Sequence, residues 1–256
     1  MYKRQVSDGD SLLWAQGIAA GYKFDVEIDE PDVSPLQVQG PDSAKLMSKV
    51  FGDWVNDLGF YKFKQVTHQG IPMVIARMGY SRELCYELFL QDGSKGNDLW
   101  ELLWEAGQEF KISAGGPNII LRLEGGIISY LADIDRSNNP YEVGLDWLVD
   151  LEQEDDFIGK EALRLVSQNG PTKKLMGAEI HGDPIEDSNT DHWPVFIDGK
   201  KVGSMNAMAY SPRLDKNICY TILDIEHAKS GQEIVIAAPE KDLMATTVDL
   251  PWRERA

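Results

Sequence analysis

Cysteine is nearly missing from this chain: Cys85 and Cys219 are its two. They fall in separate strand-like runs. That pattern reads as buried free thiols in a reducing, cytoplasmic compartment and gives no disulfide framework. No C-x-x-C pair or other metal-ligand spacing occurs, so no metal is expected. Basic residues are few, 25 against 42 acids, for a net charge of -17. Such a field repels phosphate, no Lys/Arg cluster offsets it, and nucleic acid is excluded as a partner. Apolar runs fall well short of the ~20 residues that a membrane helix needs. The opening "MYKRQVSDGD" has two basic residues but no apolar stretch behind them, so it does not read as a signal peptide. Ser81 lacks the G-x-S-x-G elbow of a hydrolase. "GPNIILRLEGG" has glycines near a helix start but neither G-x-G-x-x-G nor a P-loop Lys. "HGDPIEDSNTDHW" gathers two His and four acids, yet its turn residues make a solvated loop the better reading than a metal site.

What is present suffices for one large domain or two modest ones, with 43% hydrophobic residues and 7 Trp, 9 Tyr and 8 Phe. The first part mixes strands and helices. Strands are expected over "YKFDVEI" (22–28) and "SPLQVQG" (34–40), and "FKQVTHQGIPMVIARMGY" should form a hairpin turning at Gln69-Gly70. Helices are expected in "PDSAKLMSKVFG", in 97–110 with Leu99, Trp100, Leu103 and Trp104, in 117–132 and in 158–168. "NGPTKK" after the last resembles a domain boundary. From residue 173 six short strands follow one another with no helical period, which predicts a small β-barrel or sandwich. Asp198-Gly199 sits at one hairpin turn that demands positive φ.

One residue stands out in "ARMGYSRELCYELFL" (76–90). Alternation puts Leu84, Tyr86, Leu88 and Leu90 on one face of a strand and Cys85, Glu87 and Phe89 on the other. Both faces read as buried, and a buried carboxylate is costly unless something hydrogen-bonds to it. Two partners are open. An ion pair with Arg77, Arg82 or Arg122 would satisfy Glu87 structurally. A flat heterocycle offering two parallel N–H donors, such as the N3–H and 2-amino group of a pterin, would satisfy it bidentately, with Tyr80 as an aromatic surface beside it.

An ordered series of motifs resembles the glycine-cleavage T-protein (aminomethyltransferase) family of tetrahydrofolate-dependent enzymes. The likeness is strongest to its branch of dimethylsulfoniopropionate demethylase and related demethylases. "LQVQGPDSAKLM" (36–47) is similar to A-L-Q-G-P-x-A, and "RMGYSRELCYEL" (77–88) to R-x-G-Y-[ST]-G-E-x-G-[YF]-E-[LI]. "RLEGGIISYLADID" (122–135), "NPYEVGLDWLVD" (139–150), "DFIGKEAL" (156–163), "VGSMNAMAYSPRLDKNICY" (202–220) and "VDLPWRERA" continue the series. The resemblance implies an α+β fold: a folate-binding domain of mixed sheets and packed helices over 1–168, then a C-terminal β-barrel over 173–256. It implies transfer of a methyl or aminomethyl group from a small-molecule donor to N5 of tetrahydrofolate. Glu87 and Tyr80 become folate-pocket residues, and Asn118, Arg213 and Arg253 further cofactor contacts. Glu124, Glu142 and Trp147 read as structural.

Departures from the family pattern accompany the match. Arg82 and Cys85 replace two glycines of the family loop, and Leu131 replaces another. Asn118 stands where aminomethyltransferases carry Arg, which fits the demethylase-like branch better. The family's catalytic Asp precedes the Q-G-P motif, and the segment ahead of Gln39-Gly40-Pro41 does not match it. The expectation is a chain lacking the first third of the family domain, with half the pocket and little activity alone. Two alternatives stand beside the enzyme: a non-catalytic folate-binding or regulatory module, and the C-terminal part of a flavin-linked demethylating dehydrogenase. Oligomeric state is not legible from the sequence.

Overall fold

A computed structural model of the chain describes residues 11–31 and 33–252. They form two compact units, one reaching to Pro117 and the other starting at Asn118. The turn-rich "NGPTKK" thus lies inside the second unit.

The first unit opens with α1 (Ser11–Tyr22). The strand expected over 22–28 is not formed: Tyr22 ends α1, and the residues after it are irregular up to β1. Phe24 and Val26 have the alternation of a strand but no strand to pair with, and they are 59% and 58% exposed. Alternation without a neighbouring ladder does not hold an extended segment in a sheet. β1 (Ser34–Gln39), β2 (Phe63–His68), β3 (Ile71–Ala76) and β4 (Cys85–Leu90) make an antiparallel four-stranded sheet in the order β1-β4-β3-β2. The β2–β3 hairpin turns at Gln69-Gly70, both at positive φ (50° and 78°), the geometry that a two-residue turn of primed type requires.

Two helices cover one face of this sheet. In α2 (Ser43–Phe51) Leu46 and Met47 point inward, and in α3 (Gly96–Gly107) Leu99 and Leu103 do. They pack with Val38, Met73, Ile75, Tyr86, Leu88 and Leu90 in one core. Trp100 and Trp104, expected on the apolar face of α3, instead lie largely exposed and stack on each other with centroids 5.9 Å apart. Two leucines one turn apart fill the space against the sheet, so the neighbouring indoles find each other on the outside.

The second unit begins with α4 (Ile119–Glu124), much shorter than the helix expected over 117–132. It stops at Gly125-Gly126. Gly126 has φ +66° and lies against Pro251, where an added Cβ would sit 3.0 Å from the proline ring, so the backbone leaves the helix there. α5 (Lys160–Asn169) follows close to expectation. Then β5 (Lys173–Ile180), β6 (Trp193–Ile197), β7 (Lys200–Ser211), β8 (Lys216–Asp224), β9 (Glu233–Ala237) and β10 (Asp242–Val248) close into a barrel in the order β10-β5-β8-β7-β6-β9. All six strands and the Asp198-Gly199 turn (φ 49° and 76°) coincide with the sequence reading. Met176, Val195, Met205, Leu223 and Ile236 fill the barrel. Leu123 and Val143 pack on its outside against Ala207, Ile218 and Tyr220, which ties 118–168 to the barrel through a second core.

Candidate functional site

β4 divides its side chains as the alternation requires. Tyr86, Leu88 and Leu90 enter the helix-covered core, while Phe89 joins Val74 and Ala76 on the opposite face. Glu87 lies on that second face, level with Gln37 of β1 and Ala76 of β3. Directly opposed residues share a face of the sheet, so Gln37 and Ala76 are its lateral neighbours. Burial pushes the Glu87 carboxyl above its ordinary range, and no hydrogen bond or cation counters it. Each candidate cation is engaged elsewhere or does not reach. Arg77 falls on the other face, with its guanidinium 5.1 Å from the centroid of the Tyr86 ring. Arg122 is paired with the buried carboxylate of Asp133. Arg82 makes no ion pair with Glu87. Among the described residues, then, this partly buried carboxylate faces no donor.

Around Glu87 runs a chain of hydrogen bonds that the sequence reading did not find. The Gln37 amide Nε2 donates to Cys85 Sγ at 2.9 Å and to Gln39 Oε1 at 3.1 Å. The Ser81 hydroxyl donates to the same Gln39 oxygen at 2.8 Å and accepts from the Glu83 N–H at 3.3 Å. Both ends are buried, Cys85 at 2% exposure and Ser81 at 4%. The signal was present in "LQVQ": with Leu36 and Val38 facing the core, Gln37 and Gln39 must share the face of Cys85 and Glu87. Burial first, and the Glu87 carboxylate to a lesser degree, push the Cys85 thiol up to about 11, against the pull of the Gln37 amide. Cys85 is therefore a thiol at neutral pH and no nucleophile.

The glycine replacements keep the backbone that glycine would serve. Arg82 has φ +54° and Leu131 φ +68°, both in the left-handed region. Cys85 exchanges bulk with Gly79: a Cβ at Gly79 would lie 2.3 Å from Cys85 Sγ, so a side chain at 85 requires glycine at 79.

The remaining site expectations fall as follows. Tyr80 sits in the 77–84 loop of the first unit, 37% exposed. Asn118 caps α4 in the second unit, its Oδ1 accepting from the N–H groups of Ile120 and Leu121. Arg213, between β7 and β8, has Nη1 3.7 Å from Glu124 Oε2. Arg253 lies outside the described residues. Glu124 accepts from the Ser211 hydroxyl at 2.6 Å, and Glu142 from Thr172 Oγ1 and the Asn139 N–H, so both are built into the fold. Trp147 is 66% exposed. Among the described residues no group of His, Cys, Asp and Glu is placed to hold a metal, and no helix is long and apolar enough to cross a membrane.

The pattern of motifs and folds matches known proteins along nearly the whole chain. Residues 4–153 match the profile of the GCVT N-terminal domain, and residues 173–252 that of the glycine cleavage T-protein C-terminal barrel domain. Dimethylsulfoniopropionate demethylase DmdA of Ruegeria pomeroyi is 37% identical over 98% of this chain and 68% of its own length. An aminomethyltransferase of Bacillus mycoides is 32% identical over 100% of this chain and 72% of its own. The crystal structure of glycine cleavage system aminomethyltransferase T from Bartonella henselae superimposes with a TM-score of 0.79 at 23% identity, covering 94% of this chain and 66% of that one. The chain thus spans about two thirds of the length of these relatives.

Proposed function

The chain belongs to the glycine cleavage T-protein family, and from that membership we propose that it serves tetrahydrofolate-dependent transfer of a one-carbon group, of the demethylase-like kind, within cytoplasmic one-carbon metabolism. The observation that carries the reading is the carboxylate of Glu87: partly buried, raised by that burial, and facing no donor among the described residues. A free carboxylate on a largely apolar sheet face fits a ligand edge with two parallel N–H groups, which is what the aminopyrimidinone ring of a reduced folate offers.

The chemistry asks the protein to hold the two reacting centres in line. The bond from the donor heteroatom to the methyl carbon breaks with its electron pair left on the heteroatom. The new bond forms at N5 of the folate, whose proton departs. Holding the two centres in line supplies ~7–11 kcal/mol of barrier reduction in favourable cases. Glu87 fixes the ring by its amide edge, and through that the position of N5. Tyr80 covers the ring, Arg213 and Arg253 are the proposed cations for the anionic tail, and Asn118 is a further proposed cofactor-binding residue. Asn118 in place of an arginine favours the demethylase-like donor class, a small sulfonium or methoxy compound. The buried free thiols accord with a reducing compartment.

The test is a tetrahydrofolate titration of this chain and of Glu87→Gln. Micromolar affinity in the parent, weakened at least about tenfold (~1.4 kcal/mol) in the variant, supports the pocket. Equal affinity in both ends the role of Glu87. Folate binding without methyl transfer by a chain extended to the relatives' full length favours the non-catalytic module instead.

A further inference from the structure

We propose that Cys85, Gln39 and Ser81 form a restraint that holds Gln37 away from Glu87 and so keeps the carboxylate open for a ligand. The inference rests on reading Glu87 as a ligand anchor, and it makes Cys85 a positioning residue.

Gln37 and Glu87 are directly opposed across antiparallel strands. An amide and a carboxylate in that arrangement are within reach of each other, and a hydrogen bond to a charged acceptor is stronger than one between neutral groups. Left to itself, Gln37 should therefore donate to Glu87. It does not, because both hydrogens of its Nε2 are taken: one points to Cys85 Sγ at 2.9 Å and the other to Gln39 Oε1 at 3.1 Å. Gln39 is fixed in turn by the Ser81 hydroxyl at 2.8 Å. The outer members of this chain are buried, Cys85 at 2% and Ser81 at 4% exposure, and neither can turn away to solvent. The two exposed glutamines are thus clamped between two fixed ends. Sulfur is a weak acceptor, so the arrangement gives up hydrogen-bond strength on one side and leaves the carboxylate without a protein donor on the other. A binding surface tolerates both losses where the carboxylate must stay available. The position of Cys85 sharpens this. Its Sγ fills the space that a side chain at Gly79 would need, which places the sulfur where Gln37 can reach it.

The experiment follows the Glu87 carboxyl by carbon-13 NMR across pH, with a tetrahydrofolate titration of the same proteins. Parent, Cys85→Ser, Cys85→Ala and the double variant Cys85→Ala with Gln37→Met are compared. In Cys85→Ala the freed amide turns to Glu87: its pKa falls by about one unit, and tetrahydrofolate binds about tenfold more weakly. In Cys85→Ser the hydroxyl accepts in place of sulfur, and both values stay near those of the parent. In the double variant no amide remains at 37, and the Glu87 pKa returns to the parent's. A packing role alone would not produce that return. The same Glu87 pKa in Cys85→Ala and Cys85→Ser overturns the inference. The expected pKa pattern in proteins that bind no tetrahydrofolate upholds the restraint and removes the folate reading.

Discussion

The two units treat buried acids in opposite ways. In the barrel unit each deeply buried carboxylate has at least one partner of its own. Asp133 has Arg122 and the Ser129 N–H on Oδ2, although its Oδ1 has none and burial still raises its carboxyl. Glu124 has the Ser211 hydroxyl and Arg213, and Glu142 has Thr172 and its own turn. In the sheet unit Glu87 is partly buried and has none among the described residues. Burial alone does not distinguish the two cases. What differs is whether the fold supplies the donor, and where it does the acid holds the protein together. Where the fold withholds one, the acid is open to something from outside.

The largest effect expected from this contrast is on the barrel side. Arg122→Met strands Asp133 without its cation, in surroundings where it has no exposure, and should lower the unfolding free energy by about 3–5 kcal/mol in a denaturant titration. A loss below about 1 kcal/mol would mean that the pair is not structural. Next comes Tyr220→Phe. The Tyr220 hydroxyl lies 3.2–3.3 Å from the carbonyls of Arg122, Leu123 and Ile127, tying the end of α4 to the barrel wall. Its removal should cost about 1 kcal/mol in the same measurement.

The sheet side should respond with the opposite sign. The folded-state pKa of Glu87 is raised from an ordinary value of 4.5. A group raised on folding contributes most below its unfolded pKa, and that contribution fades as pH rises through the folded value. Glu87→Gln removes the fading. The variant should melt above the parent at pH 7 and together with it below about pH 4. A variant less stable than the parent at pH 7 would show that Glu87 has a structural partner after all. The smallest effect should come from Arg82→Gly. Relief of a left-handed φ of 54° is offset by the freer unfolded chain, leaving a change within about 0.5 kcal/mol.

The same contrast explains how far the sequence could be read. The barrel was legible strand by strand, because each strand in a closed sheet keeps its alternation and its turns carry their own residues, as at Asp198-Gly199. Phe24 and Val26 show where alternation fails: it reports a pattern of faces, not the presence of a pairing strand. The helix expected over 117–132 stops at Glu124, because Gly126 takes a positive φ where Pro251 packs against it, a long-range contact that the local pattern does not show. For the site, period two located Glu87 and its face correctly. The fate of its charge depended on which of Arg77, Arg82 and Arg122 came near, and that is a matter of long-range register. Asn118, at a position set apart by comparison with relatives, is also a helix cap, a role available from its place before "IILRLE". Gln37 drew no notice because a glutamine on an exposed strand edge has no distinctive pattern. Its importance comes from the residue directly opposite.

The proposed ligand role of Glu87 can be put to one direct measurement: the pKa of its carboxyl, followed by carbon-13 NMR in the unliganded chain and at saturating tetrahydrofolate. The free protein should titrate above the ordinary glutamate range, and the bound protein well below its free value, since two N–H donors from the ligand stabilise the charged form. An unliganded pKa at or below the ordinary value, or one that tetrahydrofolate leaves unmoved, would contradict the claim that this carboxylate stands open for a folate ring.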